Sequence, residues 1–297
     1  MTLLPVLHSV SYAGVWPGQA RLTLEAFLAK AADLGFRGVM LMAKRPHLSV
    51  LDYGEEACRR LRGSLEQKGL KCPVLAGYNN FTADLEHGDV PNREIQMQHV
   101  TELARLARAL GAGVVRIFTA YQHPACSYAV LWDILTAVLK ECAQRAADFG
   151  ITLGVQNHHD VAAHYLSQLD LIQAVGEPNC KAIFDAWAPA LQGTDILEAA
   201  RRMAPLVCHT TAADYQLRPL FQYRSQAVNF EPQTPWAQAV PMGEGIIDYA
   251  GFLRALQEGG YNGAVAYEMC SPLLGGGAVE NLDCYARRFL EFLQRLG

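Results

Sequence analysis

The chain lacks a C-x-x-C pair, although eight cysteines are spread through its 297 residues. That absence excludes zinc-ribbon and thiol-redox motifs. Most of the cysteines lie in apolar segments and read as buried free thiols, which suits a reducing compartment. No uncharged apolar stretch reaches the roughly 20 residues that span a bilayer. The opening "MTLLPVLHSVSYAGVW" has no basic residue ahead of its apolar run, so it does not read as a signal peptide. Basic residues are not in excess: 25 Lys and Arg stand against 29 Asp and Glu, a net charge of −4. A nucleic-acid partner is not expected from that balance. A membrane partner is not expected either. The sequence reads as a soluble, cytoplasmic protein with small-molecule partners.

What is present is apolar material, 51% of the residues, enough for a large core. Short apolar runs alternate with amphipathic stretches. Strands are expected at 6–12, 38–43, 73–79, 114–120, 152–158, 182–187, 207–212 and 264–269. Helical spacing marks 22–35, 93–111, 129–150 and 278–296, the first three ending at a glycine that can take a left-handed C-cap. Eight strand–helix units predict parallel strands closed into a (β/α)₈ TIM barrel. An open doubly wound sheet is the alternative, but "SYAGVWPG" after the first strand is a poor phosphate turn. No low-complexity linker divides the chain, so a single domain over 1–297 is expected. Residues 214–245, between the seventh and eighth strands, are rich in Gln, Pro and aromatics. They are expected to form a long loop acting as a lid over the barrel mouth.

Chemistry in a barrel gathers at the carboxyl ends of its strands. Four late strand positions there are polar: Gln156, Asp185, His209 and Glu268. Buried carboxylates are costly unless paired or bound to a cation. Two carboxylates, an imidazole and an amide oxygen would suit one divalent metal. Oxygen-rich donors favour Mn²⁺, with Mg²⁺, Co²⁺ or Zn²⁺ as alternatives. Each residue also has a bland reading. Asp185 would cap a helix, except that "AWAPA" is a poor helix start. His209 would be a core histidine, and Glu268 would pair with Arg116.

The marks "KAADLGFRGVML", "ARALGAGVVRIF", "QNHHD", "AIFDAW", "MGEGIIDYAGFLRAL" and "GAVAYEM" resemble the sugar isomerase/epimerase-like TIM barrels of the xylose isomerase-like superfamily, including ketose 3-epimerases and inosose dehydratases. The resemblance covers nearly the whole chain. It implies a metal held by a Glu, an Asp, a His and a second Glu, at positions matching Gln156, Asp185, His209 and Glu268. Three agree and the first departs. A three-zinc DNA-repair nuclease in the same superfamily carries an Asp-x-His pair that "WAQAVPMGEG" lacks.

In the epimerases the resemblance points to, both glutamates carry protons. An amide does not titrate, so Gln156 serves as a ligand or an orienting group, and Glu268 remains as base. A second proton carrier falls to His158, which shares a strand side with Gln156. The bland alternative for His158 and His159 is a solvated loop with Asp160 as helix cap. The expected activity is isomerisation or epimerisation beside the carbonyl of a ketose or keto-sugar. Elimination from a keto-sugar or keto-cyclitol is the alternative, and a non-catalytic carbohydrate-binding barrel is the reading from another class. Trp187, Tyr12, Tyr78, His159 and Arg218 are expected to contact the sugar or cyclitol. Arg116, inside the fourth strand, is expected to pair structurally. A homo-oligomer is compatible with this reading.

Overall fold

In the computed structural model, residues 3–297 are described. Eight parallel strands close into a barrel. They are β1 (Leu4–His8), β2 (Gly38–Met42), β3 (Lys71–Ala76), β4 (Val114–Ile117), β5 (Thr152–Gln156), β6 (Cys180–Ile183), β7 (Val207–Ala212) and, after two strands outside the barrel, β10 (Ala264–Tyr267). β10 pairs with β1 through Leu4↔Ala264 and with β7 through Val265↔Thr210, so no edge is left open. The helical layer comprises α1 (Leu24–Leu34), α2 (Glu55–Gln67), α3 (Asn92–Leu110), α4 (Tyr128–Ala147), α5 (Tyr165–Val175), the short α6 (Trp187–Leu191), α7 (Ile196–Met203), α8 (Tyr249–Glu258) and α9 (Val279–Leu296). This is the expected TIM barrel.

Side chains alternate across each strand. One set, including Leu7, Leu41, Leu75, Val115 and Val155, faces the helices. The other set fills the barrel: Val6, Met40, Val74, Ala76, Ile183, Ala264 and Ala266 form a separate inner cluster. Gly154 belongs to this inner layer, where a Cβ would stand 2.7 Å from Ile183. The inner apolar plug closes the barrel below the mouth, and the polar residues sit above it.

The strands are shorter than the apolar runs. β7 coincides with the expected 207–212, but the run 114–120 pairs only as Val114–Ile117, and 6–12 only as Leu4–His8. Phe118, Thr119 and Ala120 remain buried although they have left the ladder. Asp185 accordingly lies two residues beyond β6 and Glu268 one beyond β10. Such overhangs are what bring side chains over the mouth.

The segment expected as a loop is an antiparallel hairpin, β8 (Asp214–Arg224) and β9 (Asn229–Val240). Its base is buried at Asp214, Tyr215, Ala239 and Val240, and Ala239 bridges to Leu273. Asp214 ties the base down by accepting from the backbone N–H of Gly243 (2.9 Å) and Gly245 (3.0 Å). The outer half stands in solvent, with Leu217, Phe221, Tyr223, Phe230 and Trp236 exposed. There, Tyr223 and Phe230 pair in register with rings 5.3 Å apart, the kind of cross-strand contact that holds a hairpin tip.

Candidate active site

The mouth is organised around Gln156, the last residue of β5. Its Oε1 accepts from Arg116 Nη1 at 2.8 Å. Its Nε2 donates to Asp185 Oδ2 at 3.0 Å and faces Glu268 Oε2 at 3.5 Å. The amide orientation is forced: a guanidinium only donates and an ionised carboxylate only accepts. The carboxylates of Asp185 and Glu268 therefore converge on one amide nitrogen. Arg116 Nη1 also lies 3.6 Å from Glu268 Oε1. Both of its register neighbours are small, Ala76 on β3 and Gly154 on β5, and this leaves room for the long side chain inside the barrel.

The two carboxylates differ in environment. Burial raises the Asp185 carboxyl to about 6, opposed by the Gln156 hydrogen bond and assisted by the nearby Glu268 charge. For Glu268 burial pushes upward too, but His8, Arg116 and His158 outweigh it and hold the group below its ordinary range. Glu268 is also the more reachable, its side chain 14% exposed. An anionic, accessible carboxylate suits proton abstraction.

Three histidines surround this pair. His8, at the end of β1, accepts from the Val10 N–H through Nδ1 (3.1 Å), which places its proton on Nε2, 3.6 Å from Glu268 Oε1. Burial lowers His8 to about 3, against the pull of Glu268. His158 likewise accepts through Nδ1, from the His159 N–H at 2.9 Å, leaving Nε2–H as a donor. Burial and Arg116 lower it, although Glu268 pulls the other way. His209, inside β7, is lowered to about 4 by burial, and its Nε2 has no hydrogen-bond partner.

Among the described residues, no three His, Cys, Asp or Glu side chains stand as one ion-binding group. Asp185, Glu268 and the partnerless His209 Nε2 are donors of the kind a divalent ion takes. Gln156 is not, as it is set here: its oxygen is held by Arg116 and its N–H₂ faces the carboxylates. The geometry opposes the expectation that Gln156 offers its oxygen to an ion.

The sequence model for xylose isomerase-like TIM barrels matches residues 28–296. The chain belongs to that family. It is 20% identical to the fructoselysine 3-epimerase of Escherichia coli O157:H7, over 94% of this chain and 95% of that protein. It is 22% identical to the inosose dehydratase of Lacticaseibacillus casei, over 46% of each chain. Among solved structures, an L-ribulose 3-epimerase superposes with a TM-score of 0.75 at 18% identity, covering all of this chain and 94% of that one. The probable 3-DHS dehydratase AsbF of Bacillus anthracis gives 0.73 at 17% identity, covering 99% of both. At these identities the structural likeness establishes the fold.

In this xylose isomerase-like barrel the expected substrate contacts divide. Trp187 opens α6, with its ring 5.9 Å from His158 and 5.6 Å from Tyr215, and so lines the mouth. Asp185 Oδ1 accepts from the Trp187 N–H at 3.2 Å. "AWAPA" is a helix start after all, and Asp185 has a capping contact beside its place in the site. Tyr78 lies against the Arg116 guanidinium, 4.7 Å from its ring centroid. His159 turns away with φ +64° and packs between Phe118 and Tyr121, each 4.3 Å distant. Asp160 does not cap α5; it accepts from the Gln122 N–H, and His164 is the cap.

Tyr12 and Arg218 are corrections. After His8 the chain leaves β1 for a 3₁₀ turn, Ser9–Tyr12, so strand alternation no longer applies. Tyr12 swings into the helical layer and donates to Asp283 Oδ1 at 2.9 Å. Arg218 projects from the exposed part of the hairpin. Its neighbour Tyr215, at the hairpin's base, faces the site instead. The site also includes His8, which had no assigned role in the sequence reading, and Arg116, which lies beside Glu268 as the pairing alternative expected but also holds Gln156.

Proposed function

We propose that this barrel transfers a proton beside the carbonyl of a ketose or keto-sugar, as an isomerase or epimerase, with Glu268 as the base. The observation that carries the reading is the convergence of Asp185 and Glu268 on the Gln156 amide at the carboxyl mouth, 3.0 and 3.5 Å from one nitrogen. Glu268 takes the proton from carbon. His158, which feels the Glu268 charge and has its Nδ1 engaged, can donate its Nε2–H to an oxygen of the substrate. Trp187 and Tyr215 offer aromatic faces to a sugar ring. The fructoselysine 3-epimerase relative supports this class of reaction.

A divalent ion, Mn²⁺ by preference, would be held by Asp185, His209 and Glu268, with Gln156 outside its ligand set. Such an ion would polarise the substrate carbonyl. Gln156 then orients Asp185 while Arg116 fixes Gln156. A second reading, elimination from a keto-sugar or keto-cyclitol, is favoured by one observation. The amide at 156 removes a proton carrier from one face, and elimination needs fewer bases on opposite faces. The inosose dehydratase relative supports that alternative.

The test is exchange of the substrate α-proton with solvent in D₂O, followed by NMR over a panel of ketoses and cyclitol ketones in the presence of Mn²⁺. Exchange by the natural chain and its loss in Glu268→Gln are the expected results. Binding of sugars without exchange by any of them would leave only a carbohydrate-binding barrel.

A further inference from the structure

Arg116 has more donors than the site around Gln156 uses. The side chain is 1% exposed. Its Nη1 is engaged by Gln156 and faces Glu268. The faces of its guanidinium plane are occupied by aromatic rings, with Phe118 4.1 Å and Tyr78 4.7 Å from Cζ. What remains is the edge formed by Nε and Nη2, and both atoms are buried without a hydrogen-bond partner. Those two N–H groups point the same way, the fork that binds a carboxylate with two parallel bonds. The Tyr78 hydroxyl beside this group also has no hydrogen-bond partner.

A second cation is close. Lys44, just past β2, places Nζ 4.0 Å from the centroid of the same Tyr78 ring. No carboxylate lies within ion-pair distance of Lys44 among the described residues. Two cations thus share one tyrosine ring, and among the described residues the carboxylate paired with Arg116 is Glu268, at its Nη1 end. A buried charged group with an empty donor edge is costly, by roughly 1–3 kcal/mol for each unmet bond.

We propose that the Nε–Nη2 edge of Arg116, with Lys44 beside it, is the subsite for a carboxylate of the substrate, so that the barrel acts on keto-sugar acids rather than neutral ketoses. This deepens the proposed function and rests on its placement of the substrate at Gln156 and Glu268. The planar fork and the flanking rings match a flat carboxylate better than a tetrahedral phosphate. With the acid group on Arg116, the rest of the sugar extends over Gln156 toward Glu268.

The test is calorimetric binding without turnover, with 5-keto-D-gluconate, D-fructose and D-fructose 6-phosphate as probes. The natural chain is expected to bind the keto acid at least tenfold more tightly than either of the others. Arg116→Lys keeps a charge but loses the fork, and is expected to erase most of that preference, weakening keto-acid binding far more than binding of D-fructose. Lys44→Met, at an exposed residue, is expected to cut the preference at least threefold, and it decides the matter if Arg116→Lys does not fold. No preference in the natural chain, or one that survives the variants, means an edge filled by internal water only and overturns the proposal. Keto-acid binding without D₂O exchange would sink the proton-transfer reading and keep the subsite. Exchange with neutral ketoses alone would do the reverse.

Discussion

Replacing Gln156 by glutamate tests the electrostatics of the mouth most directly. The new carboxylate would keep one oxygen on Arg116 Nη1, now 2.8 Å from the amide oxygen. Its other oxygen would stand where Nε2 does, 3.0 Å from Asp185 Oδ2. Two like charges at that separation repel by on the order of 5 kcal/mol at an effective dielectric near 20. The group escapes by holding a proton. A protonated glutamate donates to Asp185 and accepts from Arg116, the same pattern as the amide. Keeping that proton at pH 7 costs about 4 kcal/mol for a carboxyl with an ordinary value near 4.3, which caps the loss. The folded-state pKa is raised above the unfolded one, so the folded chain binds more protons and stability falls as pH rises. Gln156→Glu should therefore match the natural chain at about pH 4–5 and fall behind it by about 1.4 kcal/mol per pH unit above that, until the cap. Urea unfolding of both proteins from pH 5 to 8 in EDTA measures this. Parallel profiles would refute the placement of the amide between the carboxylates. Mn²⁺ should restore the variant at pH 8 more than it raises the natural chain, because it supplies the charge that the variant lacks.

Other residues give separate tests. In metal-free buffer, Asp185 keeps its proton to about 6 in the folded chain, against 3.8 as its ordinary value; stability should decline between those pH values, and Asp185→Asn should flatten that slope in denaturant titrations. A Cβ on Gly245 would meet Asp214 Oδ1 at 1.9 Å and the Tyr215 carbonyl at 2.5 Å. Gly245→Ala should then cost about 1–3 kcal/mol and lower the Tm, with turnover falling as the Tyr215 wall shifts. Tyr12→Phe should lose about 1 kcal/mol of stability with its bond to Asp283 and leave KM unchanged, since Tyr12 faces the helices. Arg218→Ala, on the exposed hairpin, should change neither kcat nor KM by more than twofold; a larger effect on substrate affinity would return Arg218 to the site.

Periodicity made the barrel legible, because alternation of apolar runs with amphipathic segments is a property of neighbouring residues. Gln156, Asp185, His209 and Glu268 could be picked out for the same reason, as polar residues ending apolar runs. Alternation does not locate Tyr12, because it holds only inside a strand and β1 stops at His8. The sequence pattern hides the hairpin because Pro219, Pro232 and Pro235 break the strand alternation. Prolines are tolerated at an edge or a bulge, and here the register shifts between Arg218 and Leu220.

The deepest gap concerns Gln156 itself. Residue chemistry alone says that an amide neither titrates nor adds charge, and leaves open which end it presents to the site. That choice is made by Arg116, forty residues away on the neighbouring strand. Ala76 and Gly154 give the guanidinium room, Phe118 and Tyr78 hold its plane, and its donors then claim the amide oxygen. Only then does Nε2 face Asp185 and Glu268. A glutamate at 156 with Arg116 retained would build a different site from one with Arg116 removed. The pair should be varied together, and coupling in that double-mutant cycle well above about 0.5 kcal/mol would show that the guanidinium sets what the fifth strand offers to the mouth.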